Sequence, residues 1–428
     1  MTTQYELADL LLFVYLYAFL GWAVGVGYYA LKDGRYRNRG LLNLPLAISE
    51  GITAMLLLLA LPTLDGHPVW QFLLTWMIVW TVDVLTLQFM TAISRRRNVA
   101  WTKEPSVSPV VTGVLRSAEA LLYLLGYLLL HPFIHTAVVW LPDWVVVTAV
   151  LFLCLLTAAD YFGVRYVLRR GGGAGERGPG MLRQRLGERM TAMIWDRLEN
   201  AYPGIRQTEP ERDNRYIFAR GICFDKLVWV FLASSFLGAL IEMVFCRVTG
   251  GTWMSRSSLV FGPFSVVWGF GAVILTVVLS RMADKPDRYV FLAGFLVGGV
   301  YEYLCSVFTE VVYGTVFWDY SHIPLNLGGR INVLFCVYWG ILAVVWLRIL
   351  YPPMDRAVEK VPPLPGKVIT WIIVAAMTAN CLVTSLAMTR YTQRQDGVPA
   401  ANPVDMLLDE RYDDDWMEDR WPNMILTE

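Results

Sequence analysis

Apolar residues recur along this chain in runs of about 20, the length that crosses the roughly 30 Å hydrocarbon core of a bilayer as a helix. Ten such runs are predicted, over residues 8–31, 44–64, 70–93, 112–131, 143–167, 226–248, 258–281, 288–312, 331–350 and 366–389. A glycine- and arginine-rich stretch divides them five and five. The pattern predicts an all-α membrane protein of about ten transmembrane helices. It also predicts four parts: a membrane half over 1–167, a basic linker over 168–225, a second membrane half over 226–389 and an acidic tail over 390–428.

The two halves share an ordered series of residues. FLGWAVGVGYY (19–29) matches FLGALIEMVFC (236–246), Arg39 falls on Arg256, Leu42 on Leu259, Pro45 on Pro263 and Gly51 on Gly269. Asp83 then falls on Glu302, and Arg116 with Gly126 ten residues on mirrors Arg330 with Gly340. Each half holds an odd number of runs, so two copies in series cross the membrane in opposite senses. Inverted repeats recur in secondary transporters, with a site near the repeat interface.

Composition agrees with the span pattern. The chain is 56% hydrophobic and 17% charged, against about 25% charged in soluble domains. Formal net charge is zero, which gives no ground for a nucleic-acid partner. The start, MTTQYELADL, lacks the basic flank of a signal peptide and is expected to lead a retained first span. Six scattered cysteines without a C-x-x-C pair are expected to be packing residues.

Basic residues set the expected orientation. Lys32, Arg35, Arg37, Arg39, Arg95, Arg96, Arg97, Lys103, Arg281, Lys285, Arg288, Arg348, Arg356, Lys360 and Lys367 all fall on one side if the linker is cytoplasmic. Both termini then lie outside, in a cytoplasmic membrane. In the linker, Leu182, Leu186, Met190, Met193 and Ile194 at helical spacing, among Arg183, Arg185, Arg189 and Arg197, predict an amphipathic helix. It lies on the leaflet or packs on the protein. The acidic tail reads as solvated or as a docking surface.

Ionisable residues inside apolar runs need a partner or a water-filled neighbour. Glu242 and Glu302 each follow a glycine by one helical turn, and Asp83 takes the equivalent place in the first half. Arg256 and Arg330 are the expected counter-charges, either as locks between helices or as part of a substrate or ion pathway. Asp160 is expected to pair with Arg165, and Glu119 with Arg116, while Glu50 stands in an apolar run. His131 and His135 share a face at i, i+4, but no third ligand is evident, so no metal or cofactor is expected. No G-x-x-x-x-G-K-[ST], H-E-x-x-H or G-x-S-x-G occurs, so the chain is not expected to be an enzyme and an ATP-driven cycle would need a separate ATPase.

The second half carries FLGALIE, SLVFGPFSVVWGFG, GGVYEYLCSVFTEVVYGTVFWDYSHIPLNLGGRIN and VYWGIL. In these elements it resembles the ABC-transporter type IV (CmpB-like) integral membrane proteins. The first half resembles them more faintly, keeping FLGW and NRGLLNLP but carrying WTKEPSVSP where W-D-Y-S would stand. The resemblance implies a polytopic permease. It marks Glu242, Arg256, Glu302, Trp318, Asp319, Tyr320, Ser321, Asn326, Arg330 and Asn332 as family-like polar positions. The expectation is therefore a transporter of unknown substrate with its pathway between the repeats and with Glu242, Arg256, Glu302, Asp319, Asn326, Arg330, Asn332 and Asp83 as candidates to line it. The rival is a membrane scaffold, assembly factor or sensor that docks a partner protein through linker and tail. A lipid-modifying membrane enzyme is a third reading.

Overall fold

The structure, a computed structural model, describes residues 5–33, 38, 40–94, 109–170, 192–198, 217–280 and 282–427. It separates into two compact units, Met1–Arg212 and Asp213–Glu428. Of the basic residues used for orientation, Arg35, Arg37, Arg39, Arg95, Arg96, Arg97, Lys103 and Arg281 lie outside the described residues.

The units repeat one succession of elements. In the first, α1 (Leu7–Asp33) is followed by the short α2 (Ile48–Ala60), then α3 (Pro68–Ser94) and α4 (Pro109–Leu125). A π turn (Gly126–Leu130) joins α4 to α5 (His131–Val139), and α6 (Asp143–Arg170) closes the series. Residues 192–198 of the linker form helix α7. In the second unit α8 (Phe224–Gly250), the short α9 (Val266–Leu279) and α10 (Asp287–Tyr313) come first. Then follow α11 (Val333–Val345), a π turn (Trp346–Leu350), α12 (Tyr351–Glu359) and α13 (Pro363–Gln395).

Eight helices among the described residues are long and apolar enough to span a membrane, and two shorter apolar ones cover Ile48–Leu64 and Val266–Leu279. The fourth run of each half outlasts its predicted end at 131 or 350. Those ends fall just before Pro132 and Pro352, which remove a backbone donor and crowd the preceding turn. The π turn widens the helix there and lets it continue.

The second run of each half departs most from a plain helix. α9 has 14 residues, about 21 Å at 1.5 Å each, too short to cross alone. It is preceded by extended, irregular chain over 252–265. Ser265 N donates to Ser235 O (2.9 Å), and Ala47 N donates to Ala18 O (2.9 Å). Ser235 and Ala18 lie midway along α8 and α1, so each short helix starts at half depth and the extended stretch supplies the rest of the pass.

Irregular backbone at that depth needs internal partners, since hydrocarbon offers none. Asp160 of α6 accepts from Asn43 N (2.7 Å) and Leu44 N (2.9 Å) and from Asn43 Nδ2 (2.7 Å). Its expected pairing with Arg165 does not occur, and Arg165 Nη1 instead donates to Tyr161 Oη. In the second unit Asn380 of α13 accepts from Phe261 N (3.1 Å) and donates to Phe261 O (2.8 Å), while Thr384 Oγ1 accepts from Val260 N (3.0 Å).

Ion pairs fix how the second unit is strung. Lys226 meets Asp355 and Glu359, Lys367 meets Asp225 (2.5 Å) and Arg348 meets Asp287 (2.9 Å). The starts of α8, α10 and α13 therefore share one end, the linker end, with the finish of α11–α12. At the opposite end β2 (Asn326–Leu327) and β3 (Ile331–Asn332) form a hairpin, and β1 (Thr315–Val316) pairs with β4 (Ile425–Leu426) of the tail. With its extended stretch counted, α9 makes one of five passes.

The tail is folded onto the second unit rather than simply solvated. α14 (Pro403–Arg411) and α15 (Asp414–Arg420) bury Leu408, Met417 and Trp421 against Met388 and Tyr391. Arg390 grips Asp409 with Nε and Nη2 (2.8 and 2.9 Å), and Arg394 reaches Asp409 and Asp414 (2.7 Å each). Apolar residues interleaved with the acids make the tail a packed element. In the linker, Ile194, Trp195 and Leu198 are buried, so α7 is packed on protein. Leu182, Leu186, Met190, Arg183, Arg185 and Arg189 lie outside the described residues.

Candidate functional site

Glu302 sits midway along α10 and is 8% exposed. Trp339 Nε1 of α11 donates to its Oε2 (2.7 Å) and Tyr320 Oη of the hairpin loop to its Oε1 (2.9 Å). Among the described residues no basic side chain forms an ion pair with it. Gly298, one turn earlier, explains the approach: a Cβ there would lie 2.2 Å from Trp339 Cγ. The glycine before the acid therefore admits an indole ring. Tyr320 is set by stacking on Phe335 (4.5 Å between centroids). Burial and the adjoining Glu302 carboxylate push its hydroxyl up, which keeps it protonated and donating.

The remaining candidates divide by role. Arg330 does not reach Glu302: its Nη1 donates to Ser306 Oγ (3.1 Å) and its Nη2 pairs with Glu310, on turns of α10 nearer the hairpin. The polar hairpin loop that carries Arg330 thus delivers Tyr320 to the acid. Arg256 Nε lies 3.4 Å from Glu242 Oε2, as expected, and the charges of both act on Tyr320. Asp319 accepts from Ser321 N and Oγ (2.8 Å each), which hold its carboxyl below the usual range. Asn326 braces the loop through Ile323 O and Gly329 N, and Asn332 caps α11 by accepting from Phe335 N (2.9 Å). These three side chains spend the bonds shown on shaping the loop.

Asp83 has different company. Arg116 of α4 bridges it to Glu119 (2.6 Å to the latter), and Tyr123 Oη donates to Glu50 of α2. The π turns and the helix boundaries that follow them set the register between the units. They place Glu119 opposite Trp339 and Arg116 opposite Cys336, so the match of Arg116 with Arg330 is not kept. Glu50 likewise stands opposite Trp268: Gly21 faces Glu50 as Gly238 faces Trp268. One unit thus answers its central acid with an ion pair, the other with aromatic N–H and O–H donors. Both ring nitrogens of His131 meet tyrosines, Tyr5 and Tyr17 (2.9 and 3.0 Å).

Trp339 and Tyr123 escaped the sequence reading, because an indole or phenol in an apolar run is indistinguishable there from packing.

The duplicated plan has a counterpart among known families. The family described as "Putative ABC-transporter type IV" matches the chain twice, over residues 11–164 and 229–385. The chain belongs to this family. Both matches run from the first to the fifth pass of a unit, so this ABC-transporter type IV protein is a tandem of two family domains. Linker and tail lie outside the matches. No curated protein and no solved structure matches the chain.

Proposed function

We infer that this family member is a permease that moves a small solute or ion without transforming it, and that Glu302 is its working carboxylate. The observation that carries the reading is the environment of Glu302: buried at mid-helix, held by two neutral donors, with no cation paired to it among the described residues. Placing an acid at the bilayer centre costs about 2.5–3.5 kcal/mol on insertion scales. Two neutral hydrogen bonds offset that only in part and leave the charge unbalanced, so a proton or a cation from outside completes the site. Asp83, by contrast, meets a cation of its own unit, Arg116, which it shares with Glu119, and serves as the fixed counterpart. Support also comes from α9, a span interrupted at half depth, an arrangement that recurs around transporter sites.

Five passes per unit imply that the two copies cross in opposite senses. The linker end holds Lys285, Arg288, Arg348, Arg356, Lys360 and Lys367 and faces the cytoplasm on the positive-inside rule. If ATP drives the cycle, a separate ATPase chain supplies it, because the sequence has no phosphate-binding loop. The scaffold reading loses ground because the tail spends Leu408, Met417 and Trp421 on its own unit.

The test is labelling with dicyclohexylcarbodiimide, an apolar reagent for uncharged carboxyls. The purified protein is expected to be modified at Glu302, with Glu302→Gln unlabelled and Asp83 spared. Solutes or ions that slow the labelling are cargo candidates, to be confirmed by flux into vesicles that Glu302→Gln abolishes. Labelling at Asp83 in preference to Glu302 would overturn the assignment.

A further inference from the structure

The linker and the tail look unrelated as sequence, one basic and one acidic, yet each contains a short helix with the same duty. Arg197 of α7 donates through Nη1 to Gly40 O (3.0 Å) and through Nη2 to Leu41 O (2.8 Å). Arg420 of α15 donates through Nε and Nη2 to Leu259 O (3.0 and 2.5 Å) and through Nη2 to Gly262 O (2.7 Å). Both sets of acceptors are carbonyls of the extended stretch that begins the interrupted pass, each within its own unit. If the one-residue offset that pairs Pro45 with Pro263 and Gly51 with Gly269 is carried back past Leu42, Leu41 takes the place opposite Leu259, one position from the match of Leu42 with Leu259.

The sequences around the two arginines then align. IWDRLEN (194–200) and MEDRWPN (417–423) share Asp-Arg and the Asn three residues beyond the Arg. Ile194 matches Met417 and Leu198 matches Trp421, and all four are buried. In the second unit Trp421 Nε1 adds a bond to Ser257 O (2.8 Å). Arginines in matching sequence settings that meet carbonyls of the same stretch, one of them at a matching position, point to a shared origin rather than two independent additions.

We propose that the duplicated unit contains a sixth element, the helix after the fifth pass, and that Arg197 and Arg420 are its paired latches on the interrupted span. The chemistry favours arginine, whose planar fork serves two carbonyls at once where an ammonium is a point donor. Each latch holds the stretch whose N–H groups are served by the fifth helix, through Asp160 in one unit and Asn380 and Thr384 in the other. Withdrawing the arginine frees the carbonyl side of that stretch and leaves the membrane helices in place. The latch does not depend on whether the chain carries cargo.

Hydrogen–deuterium exchange of the full-length protein in detergent or nanodiscs reads this directly. Arg420→Ala is expected to speed exchange of the amides of 259–264 by about tenfold, the loss of one charge-assisted bond's worth of protection, with 40–47 unchanged. Arg197→Ala is expected to do the converse. Arg420→Lys should fall between wild type and Arg420→Ala, and it serves as the probe if the alanine variant does not fold. Unchanged exchange in the matching stretch, or a rise spread evenly over the whole unit, overturns the proposal.

Discussion

Glu302 and Asp83 occupy one position of the repeat and are answered by opposite chemistry. Both acids stand out in the sequence, where Arg330 is the expected partner of Glu302, since charge seeks charge and an indole N–H leaves no mark in a hydropathy pattern. The close approach of Trp339 makes Gly298 the most restrictive position of the site. Gly298→Ala is expected to displace the indole and lower stability by about 1–3 kcal/mol, the range for overpacking, measured as thermal unfolding in detergent. Trp339→Phe keeps most of the ring volume but removes the donor, so it should spare stability more than Gly298→Ala while changing carbodiimide reactivity at Glu302. The tail offers a pH-dependent pair: hydrogen bonds from Arg390 hold Asp409 below the ordinary carboxylate range. A depressed folded-state pKa contributes stability above the unfolded value, about 4, and that contribution is lost as pH falls through the folded value. Limited proteolysis of the tail should therefore accelerate on acidification below about pH 4, and Asp409→Asn should already be susceptible at neutral pH.

At the scale of elements, most helices were legible because long apolar runs admit little else in a bilayer. Two kinds of feature were not. The predicted runs stop at 131 and 350, and nothing local announces the π turn that carries the chain past Pro132 and Pro352. The apolar runs at 44–64 and 258–281 looked like whole helices, because side-chain hydropathy does not record where the backbone is extended. Asp160, Asn380 and Thr384 were the available clue: polar residues in the fifth span of each half, there to pair backbone rather than to pair charge. Asn380 both accepts from and donates to Phe261, which an ionised carboxylate cannot do. Asn380→Asp is therefore expected to destabilise nearly as much as Asn380→Ala, by about 1–3 kcal/mol for a buried group left unpaired, whereas Thr384→Ser retains its hydroxyl and should be mild. Thermal unfolding of the three variants checks the ranking.

At the scale of the whole molecule the duplication was readable from the ordered matches between the halves, although its extent was not. Linker and tail differ too much in charge for their shared Asp-Arg to stand out in sequence; it becomes visible where Arg197 and Arg420 each meet carbonyls of the stretch that begins the interrupted pass. Single-cysteine variants in a cysteine-free background should show opposite faces for the linker and the tail, with a membrane-impermeant maleimide reaching them from different sides of sealed vesicles. Labelling of both from one side would remove the inverted arrangement. The pairing of β4 with β1 bears on biogenesis. Residues 425–426 must leave the ribosome before the strand following α10 finds its partner, and Arg420 must do so before the stretch at 259–262 is covered. The first unit can close once residue 198 is made, while the second waits in the membrane with its five passes inserted and its carbonyls bare. Nascent chains halted between residues 395 and 420 are then the species a quality-control protease would recognise.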